Sequence, residues 1–411
     1  MAPDRETPKR GGAADIVIAG GGTGGHVFPG FAIAAAAREL ANVSVTFVGT
    51  ARGLESRVAL PAGHRLELLD VEPIKGGGVL RALRGSGIAA AASVRALALL
   101  RRLSPRVVLS VGGYASGPVA LAAAMQRIPL AIFEPNAAMG LANKLVAPFA
   151  QRAYLAIVES KGGSPKTPPT VRASSVRILG VPLRAGFDAS PYRASSSARI
   201  LVLGGSQGAA PLNERLPEAI ARLAKNAPGL ELEVLHQAGR DRDAAVRSAY
   251  VRENVPRATV VGFIDDAADA IARADVVIAR AGAGTVAEIA AIGRAAILVP
   301  FPFAADDHQA KNAEVFAKAG GCIALRQEAA DATRLALELA RLLGDGETRS
   351  RMADAARAFG RPDAARGVAE DLLRLGRWHV EADAPPAKIV VNGAGRVGDG
   401  SGAYRRIPEI H

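Results

Sequence analysis

The chain has 411 residues, 49% of them hydrophobic and few aromatic, which is too long for one ordinary core and points to two domains. Its one cysteine, Cys322, excludes an internal disulfide and indicates a reducing compartment; within the apolar run GCIAL it reads as a core thiol, not a nucleophile. A formal net charge of +12 calls for an anionic partner, whether nucleic acid, a membrane surface or a phosphorylated substrate.

Residues 1–13 are polar and proline-containing, and a disordered segment without the apolar stretch of a secretory signal is expected there. No uncharged apolar run approaches the ~18 residues of a spanning helix, so a soluble or peripheral protein is expected. From residue 14, strand-like runs at 15–19, 43–49, 65–70, 107–113 and 129–133 alternate with helical patterns at 27–40, 53–60, 79–103, 116–127 and 139–149. Runs this continuous in Val, Ile and Leu suit a parallel sheet buried on both faces. Residues 160–175 break the pattern as a surface excursion, and the Ser/Pro-containing stretch 186–198 reads as a linker.

The pattern then restarts. Residues 198–220 repeat the layout of strand, glycine loop and helix, and strands follow at 231–235, 258–261, 275–279, 295–299 and 322–325. Helical segments at 330–343, 347–358 and 363–377 close the globular part. The expected fold class is α/β, with two Rossmann-like, doubly wound parallel-sheet domains facing across a cleft. The expected division is an N-terminal domain over 14–185, a linker over 186–198, a C-terminal domain over 199–345 and closing helices over 346–379. A Gly/Pro-rich tail, 380–411, is expected to be disordered or an extension.

The first glycine loop, Gly20, Gly22 and Gly25, spells G-x-G-x-x-G. No lysine follows either loop, so neither is a P-loop. A nicotinamide site needs an acid about 20 residues on, at the end of the second strand. Val48, Gly49 and Thr50 stand there, and Glu55 comes later. What remains is the affinity of bare N–H groups at a helix N-terminus for anionic oxygens, or a plain tight turn.

A third loop, Arg280 to Thr285, follows a strand and opens a helix carrying Glu288 one turn in. Its N–H groups and the Thr285 hydroxyl suit a diphosphate, and Glu288 suits ribose hydroxyls or serves only the helix dipole. Asp241-Arg242-Asp243 matches D-x-D, a metal-site pattern, yet lies where a helix begins, so capping is the better account; Asp265-Asp266 and Asp306-Asp307 read the same way. The segment 73–106 holds Lys75, Arg81, Arg84, Arg95, Arg101, Arg102 and Arg106 without an acid, interleaved with apolar residues. It suits an anionic membrane surface, or a packed helix with a solvated basic face. No nucleic-acid motif is present, and little aromatic interleaving accompanies the basic residues.

Several motifs together carry a resemblance: GGTGGHVFPG (21–30), GGYASGP (112–118), EPN (134–136), GVPLR (180–184), GGSQGA (204–209), HQAGR (236–240), FIDD (263–266), RAGAGTVAEI (280–289) and DDHQAKNA (306–313). In this order, over roughly 14–377, the chain resembles the GT-B family that adds N-acetylglucosamine (GlcNAc) from UDP-GlcNAc to undecaprenyl-pyrophosphoryl-muramoyl-pentapeptide, lipid I. The product is lipid II, for peptidoglycan synthesis. The resemblance implies an inverting attack by the muramoyl 4-hydroxyl on the anomeric carbon. The catalytic residues expected are His26, a base by type and place or else only a hydrogen-bond partner of substrate or loop, and Glu134, which like Asn136 could orient the acceptor instead.

It further implies that UDP lies mainly on the C-terminal domain. There Ser206, Ala283, Gly284 and Thr285 meet the diphosphate, Arg184 a phosphate, Phe263 and the Ile264 backbone the uracil, Glu288 the ribose, and Gln309 with His308 the sugar. Thr23, Gly24, Gly25 and Asn136 extend the substrate site, and Tyr114 and Asn136 line its acceptor side. No cofactor or metal is implied. The partners implied are UDP-GlcNAc, lipid I, an anionic membrane at its cytoplasmic face and other cell-wall synthesis proteins. Where many relatives have Gln or His, this chain has Pro135 and Phe303, and Phe133 precedes Glu134. Other readings weighed beside it are a glycolipid glycosyltransferase, a UDP-GlcNAc 2-epimerase, a catalytically silent GT-B scaffold and an NAD(P) oxidoreductase.

Overall fold

The computed structural model describes residues 14–58, 60, 63–71, 79–161, 164–165, 168–193, 197–205 and 207–379. The segments 1–13 and 380–411, Ser206 and Lys75 lie outside the described residues.

The first lobe holds β1 (Ile16–Gly20), β2 (Val45–Gly49), β3 (Arg65–Leu68), β4 (Val107–Gly112), β5 (Leu130–Glu134) and β6 (Arg152–Leu155). A two-stranded ribbon, β7 (Ser160–Lys161) and β8 (Ser164–Pro165), precedes β9 (Val176–Ile178). The parallel sheet runs β3-β2-β1-β4-β5-β6-β9. Strands β1, β2, β4 and β5 are buried almost without interruption, because helices cover both faces. Those helices are α1 (Gly24–Leu40), α2 (Val79–Leu103), α3 (Ser116–Met125) and α4 (Leu141–Val146).

The second lobe has β10 (Ala198–Leu203), β11 (Leu232–Gln237), β12 (Ala258–Val261), β13 (Val276–Ala279), β14 (Ala295–Leu298) and β15 (Cys322–Ala324), parallel in the order β12-β11-β10-β13-β14-β15. Its helices are α5 (Ala210–Asn226), α6 (Asp243–Arg252), α7 (Ala267–Arg273), α8 (Ala283–Ile292), α9 (His308–Lys318), α10 (Ala332–Gly344) and α11 (Gly346–Phe359). Both strand orders reverse beside the first strand, which places a crevice at the carboxyl end of each sheet.

The last helix, α12 (Ala364–Leu375), does not stay with the second lobe. Its stripe of Val368, Ala369, Leu372 and Leu373 is buried, and it packs on α1 of the first. Asp371 fixes it there, accepting from Arg152 Nε and the Tyr154 hydroxyl at 2.9 Å each. One apolar cluster runs through both lobes, from Ile157, Val181 and Phe187 to Val286 and Ala290. Cys322 is buried in it, and burial pushes its thiol pKa up, as an inert core thiol requires.

Three elements differ from the sequence reading. The helical pattern expected at 53–60 gives, among its described residues, one 3₁₀ turn, Leu54–Ser56, with Gly53 lying against a buried carboxylate (below). Strands β6 and β9 complete the first sheet at positions to which the sequence reading gave no element, being too short to show periodicity.

Candidate functional site

The glycine loop after β1 is shaped by contact from two sides. A Cβ at Gly20 would collide with the Gly112 carbonyl, and Gly20, Gly21 and Gly22 all take positive φ. Under the loop lies Glu55, 3% exposed. Its carboxylate accepts from Gly22 N–H at 2.7 Å and Thr50 N–H at 2.8 Å, and side chains at Gly21, Gly49 or Gly53 would overlap it. The acid noticed only as absent from a ribose position is therefore a strut for the loop.

This loop delivers His26 in the first turn of α1. Its Nδ1 lies 3.3 Å from Thr23 Oγ1, and its Nε2 packs over Gly112, where a Cβ would come within 2.9 Å. Desolvation lowers the ring pKa below its ordinary 6.5, opposed by the Glu134 and Glu55 charges and a backbone hydrogen bond to Gly21, and assisted by His308 from the other lobe. The ring is thus neutral near pH 7 and able to accept a proton. Thr23 and Gly25 are exposed at the loop rim, with Gly24 half-buried between them, and Tyr114 is exposed beyond β4.

Glu134, at the end of β5, is shut away from solvent. One oxygen accepts from Asn136 N (3.1 Å) and Nδ2 (3.2 Å), the other from Gly140 N (2.8 Å) and Asn143 Nδ2 (3.1 Å). Four donors fill the capacity of a carboxylate. These bonds make Glu134 the anchor of the 134–143 loop.

In the second lobe, α8 begins at Ala283 after Gly282 with no side-chain cap and no acid in its first turn. Its leading N–H groups are unpaired within the helix, and open space surrounds Gly284. Thr285 is on the same turn. Glu288 follows, its pKa raised by burial to about 7 despite the opposing charge of Arg184. Arg184 also stacks on Phe187, 5.5 Å from the ring centroid. Phe263 is exposed after β12, beside half-buried Ile264. A 790 Å³ cavity is lined by Arg184, Phe187, Asp188, Asp265, Asp266 and Asp269, among others.

His308 Nδ1 donates to the Ala305 carbonyl at 2.8 Å. Gln309 Oε1 accepts from Phe301 N–H at 3.0 Å. The two lobes meet through Asn312, which is fully buried and which sequence reasoning passed over. Its Oδ1 accepts from Ala137 N–H at 2.8 Å; its Nδ2 donates to Asn136 Oδ1 and to the Ala281 carbonyl, each at 3.1 Å. One amide thus ties the 134–137 loop to the loop that opens α8. Lys144 and Asp306 add an ion pair across the same mouth.

The aspartate pairs divide. Asp266 does cap α7, accepting from Asp269 N–H. Asp243 instead pairs with Arg247, and Asp307 with Arg326. Among the described residues no group of three or more His, Cys, Asp or Glu is placed to hold a metal. Of the basic run, Arg95 pairs with Asp70, Arg102 with Glu67, and Arg106 stacks on Trp378. Part of that charge is therefore used within the fold. Nothing is described of the Arg81 and Arg84 side chains.

Comparison with known proteins bears on this geometry. Residues 16–155 match the glycosyltransferase family 28 N-terminal domain and residues 199–368 its C-terminal domain. A UDP-N-acetylglucosamine–N-acetylmuramyl-(pentapeptide) pyrophosphoryl-undecaprenol N-acetylglucosamine transferase of Sorangium cellulosum is 52% identical over 368 residues, 88% of each chain. A protein of the same name from Acidithiobacillus ferrooxidans is 42% identical over 87% of this chain and 96% of its own. The crystal structure of Acinetobacter baumannii MurG superposes with a TM-score of 0.73 at 31% identity, over 87% of this chain and 99% of its own. A UDP-N-acetylglucosamine 2-epimerase, at 13% identity and a TM-score of 0.59, shares the fold alone.

Proposed function

The chain belongs to glycosyltransferase family 28, as one of its UDP-GlcNAc-dependent transferases that form lipid II from lipid I, and from that premise we propose how its cleft does the work. The donor diphosphate sits at the uncapped start of α8, against the N–H groups of Ala283, Gly284 and Thr285, where the helix dipole takes up charge as UDP leaves. The glycine loop of β10 with Ser206 closes over it, Arg184 approaches a phosphate, and Phe263 and the Ile264 backbone take the uracil. Glu288 accepts from the ribose hydroxyls. His308 and Gln309 face the sugar.

The acceptor enters past Thr23, Tyr114 and Asn136. Neutral His26 takes the proton of the muramoyl 4-hydroxyl as its oxygen attacks the anomeric carbon from the face opposite UDP. One C–O bond forms, the bond to the diphosphate breaks, and the configuration inverts. Glu134 acts as a positioning residue for Asn136. The observation that carries this reading is the convergence, across one mouth tied by Asn312, of a desolvated histidine and an open helix N-terminus.

Membrane contact follows from the acceptor's lipid. No helix of the described residues is long and apolar enough to cross a membrane. Helix α3 packs against both α2 and α4; Met125, Leu141 and Leu145 are exposed, as are Lys144 on α4 and Arg101 on α2. This face supports peripheral docking on the anionic cytoplasmic leaflet. The test of the whole reading is transfer of radiolabelled GlcNAc from UDP-GlcNAc to a lipid I analogue, with and without EDTA. Transfer unaffected by EDTA is expected; epimerisation of UDP-GlcNAc in the absence of acceptor would replace this reading with another.

A further inference from the structure

The motif HQAGR has no part in the chemistry above, yet it contains a histidine wholly closed to solvent. His236 ends the buried core of β11. Its Nε2 lies 3.0 Å from Asn213 Oδ1, and its Nδ1 lies 3.0 Å from the Tyr250 hydroxyl. The directions of these bonds are fixed by the far end of the chain. Asn213 Nδ2 donates to the Ala238 carbonyl at 2.9 Å, so Oδ1 is the end that must accept. Nε2 therefore carries the ring proton, and Nδ1 accepts from Tyr250. Desolvation holds the ring pKa down at about 4, so this arrangement persists through neutral pH.

What the relay grips is the mould of the second glycine loop. Gly204 N–H donates to the Gln237 carbonyl at 3.2 Å, and a Cβ at Gly204 would come within 2.6 Å of that oxygen. Gly208 lies so close to the Ala238 carbonyl, and Gly239 to the Gly208 amide, that any side chain at either would collide. The two loops thus touch backbone to backbone. Asn213 stands in the first turn of α5, directly after the glycine loop, and its amide clamps Ala238 from behind.

We propose that His236, acting through Asn213, is a positioning residue for the donor: it sets the orientation of the Asn213 amide and so fixes the glycine loop that closes on the UDP diphosphate. This rests on the second lobe being the donor lobe, as proposed above. A buried polar group that loses its partner costs enough to reorder a loop of this kind.

The full-length protein is compared with His236→Leu, His236→Gln and Asn213→Asp. UDP affinity is read by calorimetry, KM for UDP-GlcNAc and for a lipid I analogue by steady-state transfer, and folding by thermal melting. His236→Leu is expected to weaken UDP binding and raise the donor KM by about tenfold, with the acceptor KM within twofold. His236→Gln, whose amide nitrogen reaches the place of Nε2, should recover most of that loss. Asn213→Asp keeps the size and loses the donor to Ala238, so it should show the same donor-selective defect and decides the matter if the leucine variant does not fold. Wild-type donor affinity in both His236→Leu and Asn213→Asp, or equal rises in both KM values without recovery by glutamine, would overturn the proposal. If the wild-type protein itself took up no UDP, the donor-lobe reading would fail first.

Discussion

The two glycine loops are near repeats in sequence and opposites in electrostatics. The loop after β1 rests on the Glu55 carboxylate, which takes the Gly22 amide and sets a negative charge beside the start of α1. The loop after β10 rests on a neutral relay, Tyr250, His236 and Asn213, and on the carbonyls it clamps. A carboxylate under a helix N-terminus offsets the dipole that would attract a diphosphate, whereas an uncharged support leaves it intact. On the function proposed above, the same fold element, repeated, serves a proton acceptor in one lobe and an anion in the other.

The sharpest way to break this comparison is His26→Ala. It should lower kcat by about 10²–10⁴-fold while UDP affinity, read by calorimetry, stays within about twofold. Next, Glu288→Ala should weaken UDP binding by about 10–100-fold. Glu288 also makes the donor lobe sensitive to pH. With its folded pKa raised to about 7 from 4.5, stability contributed by the protonated form is full below 4.5 and lost as pH rises through 7. UDP affinity should accordingly increase between pH 6 and 8 as the carboxylate forms, and Glu288→Gln should flatten that profile. His26 has the opposite sign: its lowered pKa contributes stability present above 6.5 and lost as pH falls through the folded value, and the acid limb of kcat should lie below 6.5.

A smaller effect is expected from Asn312→Ala, about a tenfold loss of kcat with both lobes still folded, measured together with the radius of gyration by small-angle scattering. An unchanged radius and full activity would show the bridge to be idle. The smallest effect should come from Glu55→Gln, which removes the charge and keeps one acceptor. A fall in Tm on the order of 2–4 °C is expected, with UDP affinity unmoved. If it impaired UDP binding as Glu288→Ala does, the division between the loops would be lost.

How much of this is legible in the chain follows the range of the interactions. Continuous Val, Ile and Leu runs announce β1, β4, β13 and β14, because a strand buried on both faces needs no partner to declare itself. The places of His26 and Glu288, one after a glycine loop and one in the first helical turns, are legible in the sequence, and the parts given to them above are proposals. Glu55 was visible, but its task was not, since three glycines that close on it are far apart in meaning until folded. Glu134 shows its residue type without showing that its oxygens are already filled. Asn312 stands within the motif DDHQAKNA, but nothing local marks it as a bridge, for its partner Asn136 lies 176 residues away. Helix α12 displays a clear apolar stripe, yet nothing in its own residues says that the stripe belongs to the first lobe.

That return of α12 has a mechanical consequence. The polypeptide passes between the lobes twice, at 180–187 and again at 359–363, and the two passages lie so close that a side chain at Gly180 would strike Arg361. A body joined by a single thread can swivel in any direction. Two threads side by side act like the paired leaves of a door hinge, resisting twist and allowing the jaws to swing chiefly about one line. Opening for substrate and shutting for transfer would then retrace a single arc, bringing the same atoms back into register on every cycle.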